Sequence, residues 1–162
     1  MPETICDTSP LQYLHQLRRL YLLPALVGQV TIPPIVTKEI ADGLMIGIDL
    51  PDTSKLNWIT ERAIQQVRPE VNVYGLDPGE TEVLTLALEI GASNARVIID
   101  ELPAREAAVK LGINLIGTLG LLINAKARGI LPAVKPELDR LDALGFRLAK
   151  HTREAVLKAA AE

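Results

Sequence analysis

Short apolar runs without polar alternation, each followed by a helical pattern, constrain the fold of this chain most. Residues 30–32, 97–99 and 113–116 form such runs, and residues 4–6 form a shorter one. Strands with one face in water alternate apolar and polar residues, whereas strands buried on both faces are nearly continuously apolar. Apolar strands separated by helices predict an α/β chain: a three-layer α/β/α sandwich around a central parallel sheet. Residues 146–148 are expected to add a short strand.

Helical spacing and capping signals occupy the stretches between the apolar runs. Ser9, followed by Pro10, is interpreted as the N-cap of the first helix. Residues 42–75 carry scattered Gly and Pro and are expected to form a variable segment with short helices. Because neither a repeat nor a linker is visible, we expect a single domain over residues 1–162. Further helices are predicted through residues 36–40, 77–91, 103–111, 118–127, 138–144 and 152–161.

Composition narrows the cellular setting and the class of partner. The apolar runs are too short for a membrane span, and residues 1–4 have no signal-peptide character. The lone Cys6 suits a reducing cytoplasm. The net charge of −3 argues against binding polyanions by charge alone, and 3% aromatic residues are too few for a platform that stacks bases. Acidic residues exceed basic ones before residue 126, and the balance reverses after it.

Two aspartates directly follow apolar strands. Asp7 comes after residues 4–6, and Asp100 comes after residues 97–99. The carboxyl ends of parallel strands line the crevice in which ligands bind, so both side chains are candidates for a site. Each would alternatively cap the helix that follows, since Asp is a favoured N-cap.

Two glutamates are further candidates. Glu80 fits a capping box with Asp77, yet it heads the apolar stripe of its helix and is therefore expected to point inward. Glu39 lies one turn after Ile35, and its simplest interpretation is a solvated helix residue. Taken together, these carboxylates predict a site for a hard cation such as Mg²⁺ or Mn²⁺, which lowers the pKa of a bound water for attack on phosphorus.

Five ordered blocks of sequence resemble a PIN domain, in a branch of bacterial PIN-like nucleases related to VapC-type toxins. They cover almost the whole chain in the family's order and spacing. The blocks are Cys6-Asp7-Thr8-Ser9-Pro10-Leu11, Ile32-Pro33-Pro34-Ile35-Val36, Leu76-Asp77-Pro78-Gly79-Glu80-Thr81-Glu82, Val97-Ile98-Ile99-Asp100-Glu101, and Leu111-Gly112 followed by Gly117-Thr118-Leu119-Gly120.

The resemblance implies an Mg²⁺- or Mn²⁺-dependent endoribonuclease that hydrolyses RNA phosphodiester bonds. Its catalytic acids fall on Asp7, Glu39, Glu80 and Asp100, of which Asp7, Glu80 and Asp100 would hold the metal. Arg105 is a candidate phosphate contact, with an ordinary helix-surface arginine as the alternative. Thr118 either caps the next helix or lines the acidic site as a second phosphate contact. No organic cofactor is expected.

The resemblance further implies the toxin of a toxin–antitoxin pair, with a small antitoxin protein as partner and a homodimer as the assembly. Two departures support an alternative. The third acid is Glu80 where toxins usually carry Asp, and the usual Thr-x-Asp-x-x-Phe run around the fourth acid is missing at Asp100. The alternative function is a catalytically weak PIN scaffold that acts as a protein-binding module.

Overall fold

Five short parallel strands form the centre of the structure, a computed structural model that describes residues 1–162. Their order across the sheet is β3-β2-β1-β4-β5, so the chain begins in the middle and builds outward on both sides. The predicted α/β architecture with a parallel sheet is confirmed. The strands are β1 (Glu3–Cys6), β2 (Val30–Ile32), β3 (Ile59–Glu61), β4 (Ala95–Ile98) and β5 (Asn114–Ile116).

Nine α-helices cover the sheet. Helix α5 packs against α3 and α4. Helix α7 packs against α1, α2 and α9. Helix α5 also packs on β1 and β4, while α6 packs on β5. The helices are α1 (Thr8–Gln16), α2 (Leu22–Val27), α3 (Pro34–Met45), α4 (Pro69–Asn72), α5 (Pro78–Ile90), α6 (Leu102–Lys110), α7 (Thr118–Ala127), α8 (Lys135–Ala143) and α9 (Lys150–Ala159). None of them is long and apolar enough to cross a bilayer.

Both faces of the central strands are buried, as their unbroken apolar sequences predict. Neighbouring residues that point to opposite faces, Ile5 and Cys6 in β1 and Val97 and Ile98 in β4, are fully buried. Because burial of apolar area is the main favourable term in folding, these positions hold the two helical layers against the sheet.

Three local predictions are wrong. Residues 146–148 form no strand, because Phe146 packs its ring against Tyr13 instead of pairing in the sheet. Ser9 lies inside α1, whose N-cap position is Asp7. The edge strand β3 falls within residues 42–75, where only short helices were expected. Its residues Thr60 and Glu61 are exposed, so the strand lacks the apolar run that identifies its neighbours.

The parallel order brings the carboxyl ends of all five strands to one edge of the sheet. The ladder continues beyond β1, since the N–H of Asp7 donates to the carbonyl of Ile98 at 3.1 Å. It also continues beyond β4, where the N–H of Ile99 donates to the carbonyl of Ile116 at 3.1 Å. These bonds fix the backbone on which Asp7 and Asp100 are placed.

Candidate active site

Asp7 is held at the end of β1 with its carboxylate buried and without a capping role. The residue occupies the N-cap position of α1, but its side chain makes no capping hydrogen bond. It is 5% exposed. Burying a carboxylate without a counter-charge costs free energy. Because this side chain does not cap the helix either, its burial here points to a functional role.

Glu39 reaches the same place from α3. Its Oε2 accepts a hydrogen bond from the Thr8 hydroxyl at 2.5 Å, which ties α3 to the start of α1. Gly79 lies against both acids: a Cβ at this position would meet Glu39 Oε1 at 2.9 Å and Asp7 Oδ1 at 3.1 Å. Asp7 and Glu39 therefore converge on the first turn of α5, and the interpretation of Glu39 as a solvated helix residue is wrong because the side chain is half-buried there.

Glu80 points inward from the first turn of α5, as its position at the head of the apolar stripe predicts. It is 5% exposed. The capping box is realised in one direction, since Asp77 Oδ1 accepts the Glu80 backbone N–H at 2.8 Å. The Glu80 carboxylate itself accepts no hydrogen bond of regular geometry. The capping interaction therefore uses the Glu80 backbone N–H and leaves its carboxylate without a partner.

A cavity of about 330 Å³ opens onto Asp7 and Glu80 and is called the acidic cavity below; Glu39 is not among its lining residues. Four carboxylates line it, those of Asp7, Asp77, Glu80 and Glu101, and no Lys, Arg or His does. Such a concentration of like charge is unfavourable unless protons or a cation neutralise it.

Burial and mutual repulsion raise the proton affinity of two carboxylates that line the acidic cavity, those of Asp7 and Glu80. Burial is the main cause that raises the pKa of Asp7 from 3.8 to about 7, and the charges of Asp77, Glu80 and Glu39 add to the rise. The backbone N–H of Thr8 opposes it. Burial likewise raises the pKa of Glu80 from 4.5 to about 7, followed by the charge of Asp77. A cation bound here would replace these protons.

Asp100 lies next to the acidic cavity and has partners of its own. Its Oδ1 accepts the Thr118 backbone N–H at 2.7 Å, and its Oδ2 accepts the Thr118 hydroxyl at 2.6 Å. Burial raises the pKa of Asp100, whereas these bonds and the Arg105 charge lower it. Asp100 therefore caps the N-terminus of α7 although it lies 18 residues earlier in the sequence, and Thr118 is the donor in that interaction.

Arg105 differs from an ordinary helix-surface arginine. Its guanidinium is half-buried and donates to the carbonyl of Ile99 at 2.9 Å. It also lies beside Asp100, because a Cβ on Gly117 would meet both Arg105 Nη1 and Asp100 Oδ1, at 2.6 and 3.0 Å. Contact of Arg105 or Thr118 with phosphate stays a prediction.

The structure thus brings Asp7, Glu39 and Glu80 together and places Asp100 beside them. Glu101 joins the two parts, since it lines the acidic cavity and also a neighbouring cavity that contains Asp100. Sequence reasoning missed Glu101 as a lining residue and treated Asp77 as a cap only. The available signal was closeness in sequence: Glu101 directly follows Asp100, and Asp77 stands three residues before Glu80.

The donor set suits a hydrated divalent cation better than one enclosed by protein ligands. No three His, Cys, Asp or Glu side chains are arranged to hold one ion among them. Mg²⁺, however, usually keeps several waters and is bound through one or two carboxylates. Asp7 and Glu80 offer two buried carboxylates that accept no regular side-chain hydrogen bond and face one cavity, which fits that mode of binding.

Comparison with known proteins identifies the family of the chain. A family model described as a PIN domain (DUF3368) matches residues 3–162, which is nearly the entire chain. No curated protein matches the chain significantly. The chain therefore belongs to the PIN-domain family, whose members are generally nucleases that use divalent metals.

Proposed function

We propose that this protein is a divalent-metal-dependent endoribonuclease that hydrolyses phosphodiester bonds of RNA with Mg²⁺ or Mn²⁺. One observation carries the proposal: the buried carboxylates of Asp7 and Glu80 line one cavity at the carboxyl edge of the sheet, no basic side chain lines it, and Glu39 approaches Asp7 across Gly79. Burying carboxylates without a counter-charge costs free energy, and a cation recruited from solution would supply that charge.

Asp7 and Glu80 are the residues that would hold the cation, and Asp100 would complete the site from its position beside Glu101. A bound divalent ion polarises a phosphoryl oxygen and lowers the pKa of water, so no nucleophilic side chain is required. Glu39 would help to orient the cluster, because its hydrogen bond to Thr8 fixes the carboxylate beside Asp7. Thr118 fixes the carboxylate of Asp100 through two hydrogen bonds.

The test is cleavage of an end-labelled single-stranded RNA by the purified chain with Mn²⁺, with Mg²⁺ and with EDTA. We expect cleavage with the metals only, and an about 100-fold or greater loss in Asp7→Asn and Glu80→Gln. Asp142→Asn is the matched control, because it removes one carboxylate from an exposed, unpaired position on α8. Equal cleavage by the wild type and the Asp7 variant would contradict the proposal, and a DNA of the same sequence tests the preference for RNA.

A role as the toxin of a toxin–antitoxin pair is part of the proposal and is motivated by the resemblance to VapC-type toxins. It includes a small antitoxin protein as partner, a homodimer and a cytoplasmic location, which suits the buried, unpaired Cys6 thiol. Induced expression of the wild type should arrest bacterial growth, whereas Asp7→Asn should not. Growth arrest by both forms would separate toxicity from nuclease chemistry.

A second candidate is a catalytically weak PIN scaffold that binds another protein. The absence of a preassembled three-ligand metal group favours it, as does the exposed apolar end of α3, where Met45 and Ile46 are 86% and 78% exposed. This candidate predicts that Mn²⁺ does not raise the melting temperature of the protein. A rise that disappears in Asp7→Asn would count against it.

A further inference from the structure

A larger cavity of about 620 Å³ is lined in part by Asp100 and shares no lining residue with the acidic cavity. We call it the Phe146 cavity. Its floor is formed by the end of β5 and the start of α7, and residues 146–152 form its opposite wall. Its volume lies within the range of about 300–1,000 Å³ that is typical of small-ligand sites. Leu102 and Phe146 provide apolar surface there, while Arg105, Arg147 and His151 provide positive or donor groups.

The Phe146 cavity and the acidic cavity are joined by a third one. That joining cavity measures about 470 Å³ and shares Glu101 with the acidic cavity. It shares Asp100, Phe146 and Arg147 with the Phe146 cavity. We call these three neighbouring cavities together the groove: the charged residues that line it are all acidic at one end, and the other end, past Asp100, carries basic side chains.

Two of the three basic side chains at that end have no partners in the protein, whereas Arg105 donates to the carbonyl of Ile99. Arg147 and His151 are both exposed, and neither takes part in a hydrogen bond or an ion pair. Other arginines of the C-terminal part are engaged, since Arg140 pairs with Glu137 and Arg153 pairs with Asp139. Unpaired cations along a groove attract a polyanion, whereas paired ones contribute little.

The aromatic content of the groove is unusual for this chain. Phe146 is the only phenylalanine, and it contacts Tyr13 edge to face with ring centroids 5.0 Å apart and planes at 82°. Both rings line the joining cavity. Aromatic side chains beside a positively charged groove are the surface on which single-stranded bases stack, regardless of sequence.

We propose that the Phe146 cavity binds one nucleotide of a single RNA strand beside Asp100. The base contacts Phe146 and the apolar wall, and Arg147 and His151 hold the phosphate. The inference rests on the proposed function only in naming RNA as the ligand. It also explains how a polyanion approaches an acidic site, because the strand is anchored at the basic end while its next phosphate lies towards Asp100.

Fluorescence anisotropy of a labelled oligoribonucleotide in EDTA tests this binding without cleavage. Arg147→Gln should weaken binding and reduce the slope of log Kd against log salt concentration by about 0.7, the value for one phosphate contact to a single strand. Phe146→Leu should weaken binding about fivefold or more and leave that slope unchanged, because stacking releases no counterions. Lys158→Gln on α9 is the control, since it removes the same charge from an exposed position outside the groove.

Wild-type affinity and salt slope in both Arg147→Gln and Phe146→Leu would overturn the inference. So would an equal loss in Arg147→Gln and Lys158→Gln, which would indicate only a general charge effect. Cleavage with Mn²⁺ is measured separately on the same proteins. Cleavage with no effect of these variants on binding contradicts this inference alone, whereas binding that depends on Phe146 without any cleavage contradicts the proposed function alone.

Discussion

Thr118 donates both its backbone N–H and its hydroxyl to the carboxylate of Asp100, at 2.7 and 2.6 Å. The two residues belong to different strand–helix units, Asp100 after β4 and Thr118 at the start of α7. This pair of bonds therefore fixes the position of an acid at the edge of the site through the neighbouring unit. Hydrogen bonds to a charged acceptor are about twice as strong as neutral ones, so the interaction is well suited to positioning.

Replacing Thr118 by Val should lower both stability and activity. The substitution keeps the shape of the fully buried side chain but removes one hydrogen bond to Asp100. We expect a loss of about 1–3 kcal/mol in the free energy of unfolding, measured by urea titration. Thr118→Ser keeps the hydroxyl and should retain more of the activity. Equal loss of RNA cleavage in both variants would indicate that packing, not the hydrogen bond, positions Asp100.

Replacing Gly79 by Ala should separate activity from stability. A Cβ would lie 2.9 Å from Glu39 Oε1 and 3.1 Å from Asp7 Oδ1, so it would push the two carboxylates apart. Glu39 is long enough to move at little cost, and Ala is favoured over Gly in a helix, so we expect the free energy of unfolding to stay within about 1 kcal/mol of the wild type. Cleavage with Mn²⁺ should fall at least tenfold, as for other displaced metal-site groups. Unchanged cleavage would show that Gly79 is not needed for the close approach.

The interior of the fold could be predicted from sequence because burial on both faces leaves a visible pattern. Residues 30–32 match β2 to the residue, and Ile98 and Ile116 end the strands that precede the site. The edge of the sheet could not be predicted in the same way. Strand β3 pairs on one side only and is largely exposed, so its residues carry no apolar run, whereas residues 146–148 alternate like a strand but are held by an aromatic contact.

The site could be predicted only as far as strand ends and helix faces reveal it. Asp7 and Glu80 stand out in sequence because an acid in an apolar context is rare, and both are buried. Glu39 gains its role through Gly79, a contact between distant helices that no local pattern encodes. Composition likewise gives the number of aromatic rings but not their location. In the structure, Phe146 and Tyr13 contact each other beside Asp100.

Divalent cations should stabilise the folded protein through Asp7 and Glu80. A ligand that binds the folded state alone raises stability with its concentration, by about 2.7 kcal/mol at 100 times its Kd. We expect Mn²⁺ to raise the melting temperature of the wild type by several degrees, at about 2–4 °C for each kcal/mol, as measured by differential scanning fluorimetry. The shift should disappear in Asp7→Asn and persist in Asp142→Asn. A shift of the same size in both variants would place the cation elsewhere.

Without metal, the protein should lose stability as the pH rises from about 4 to 8. The pKa values of Asp7 and Glu80 are both raised to about 7 in the folded state, from 3.8 and 4.5, mainly by burial. Between those values the folded state binds more protons than the unfolded state, so deprotonation on the way to pH 8 costs free energy of folding. Asp52 and Glu162 have lowered pKa values and act in the opposite sense, but their effect is complete at more acidic pH.

Urea titrations in EDTA at pH 5 and pH 8 measure this difference. Asp7→Asn removes one of the two raised pKa values and should make the protein less dependent on pH, and more stable than the wild type at pH 8. Saturating Mn²⁺ should also flatten the wild-type profile, since the cation takes the place of the protons. If metal-free wild type were more stable at pH 8 than at pH 5, the carboxylates of Asp7 and Glu80 would have to be compensated in the folded protein, and the argument for a recruited cation would lose its basis.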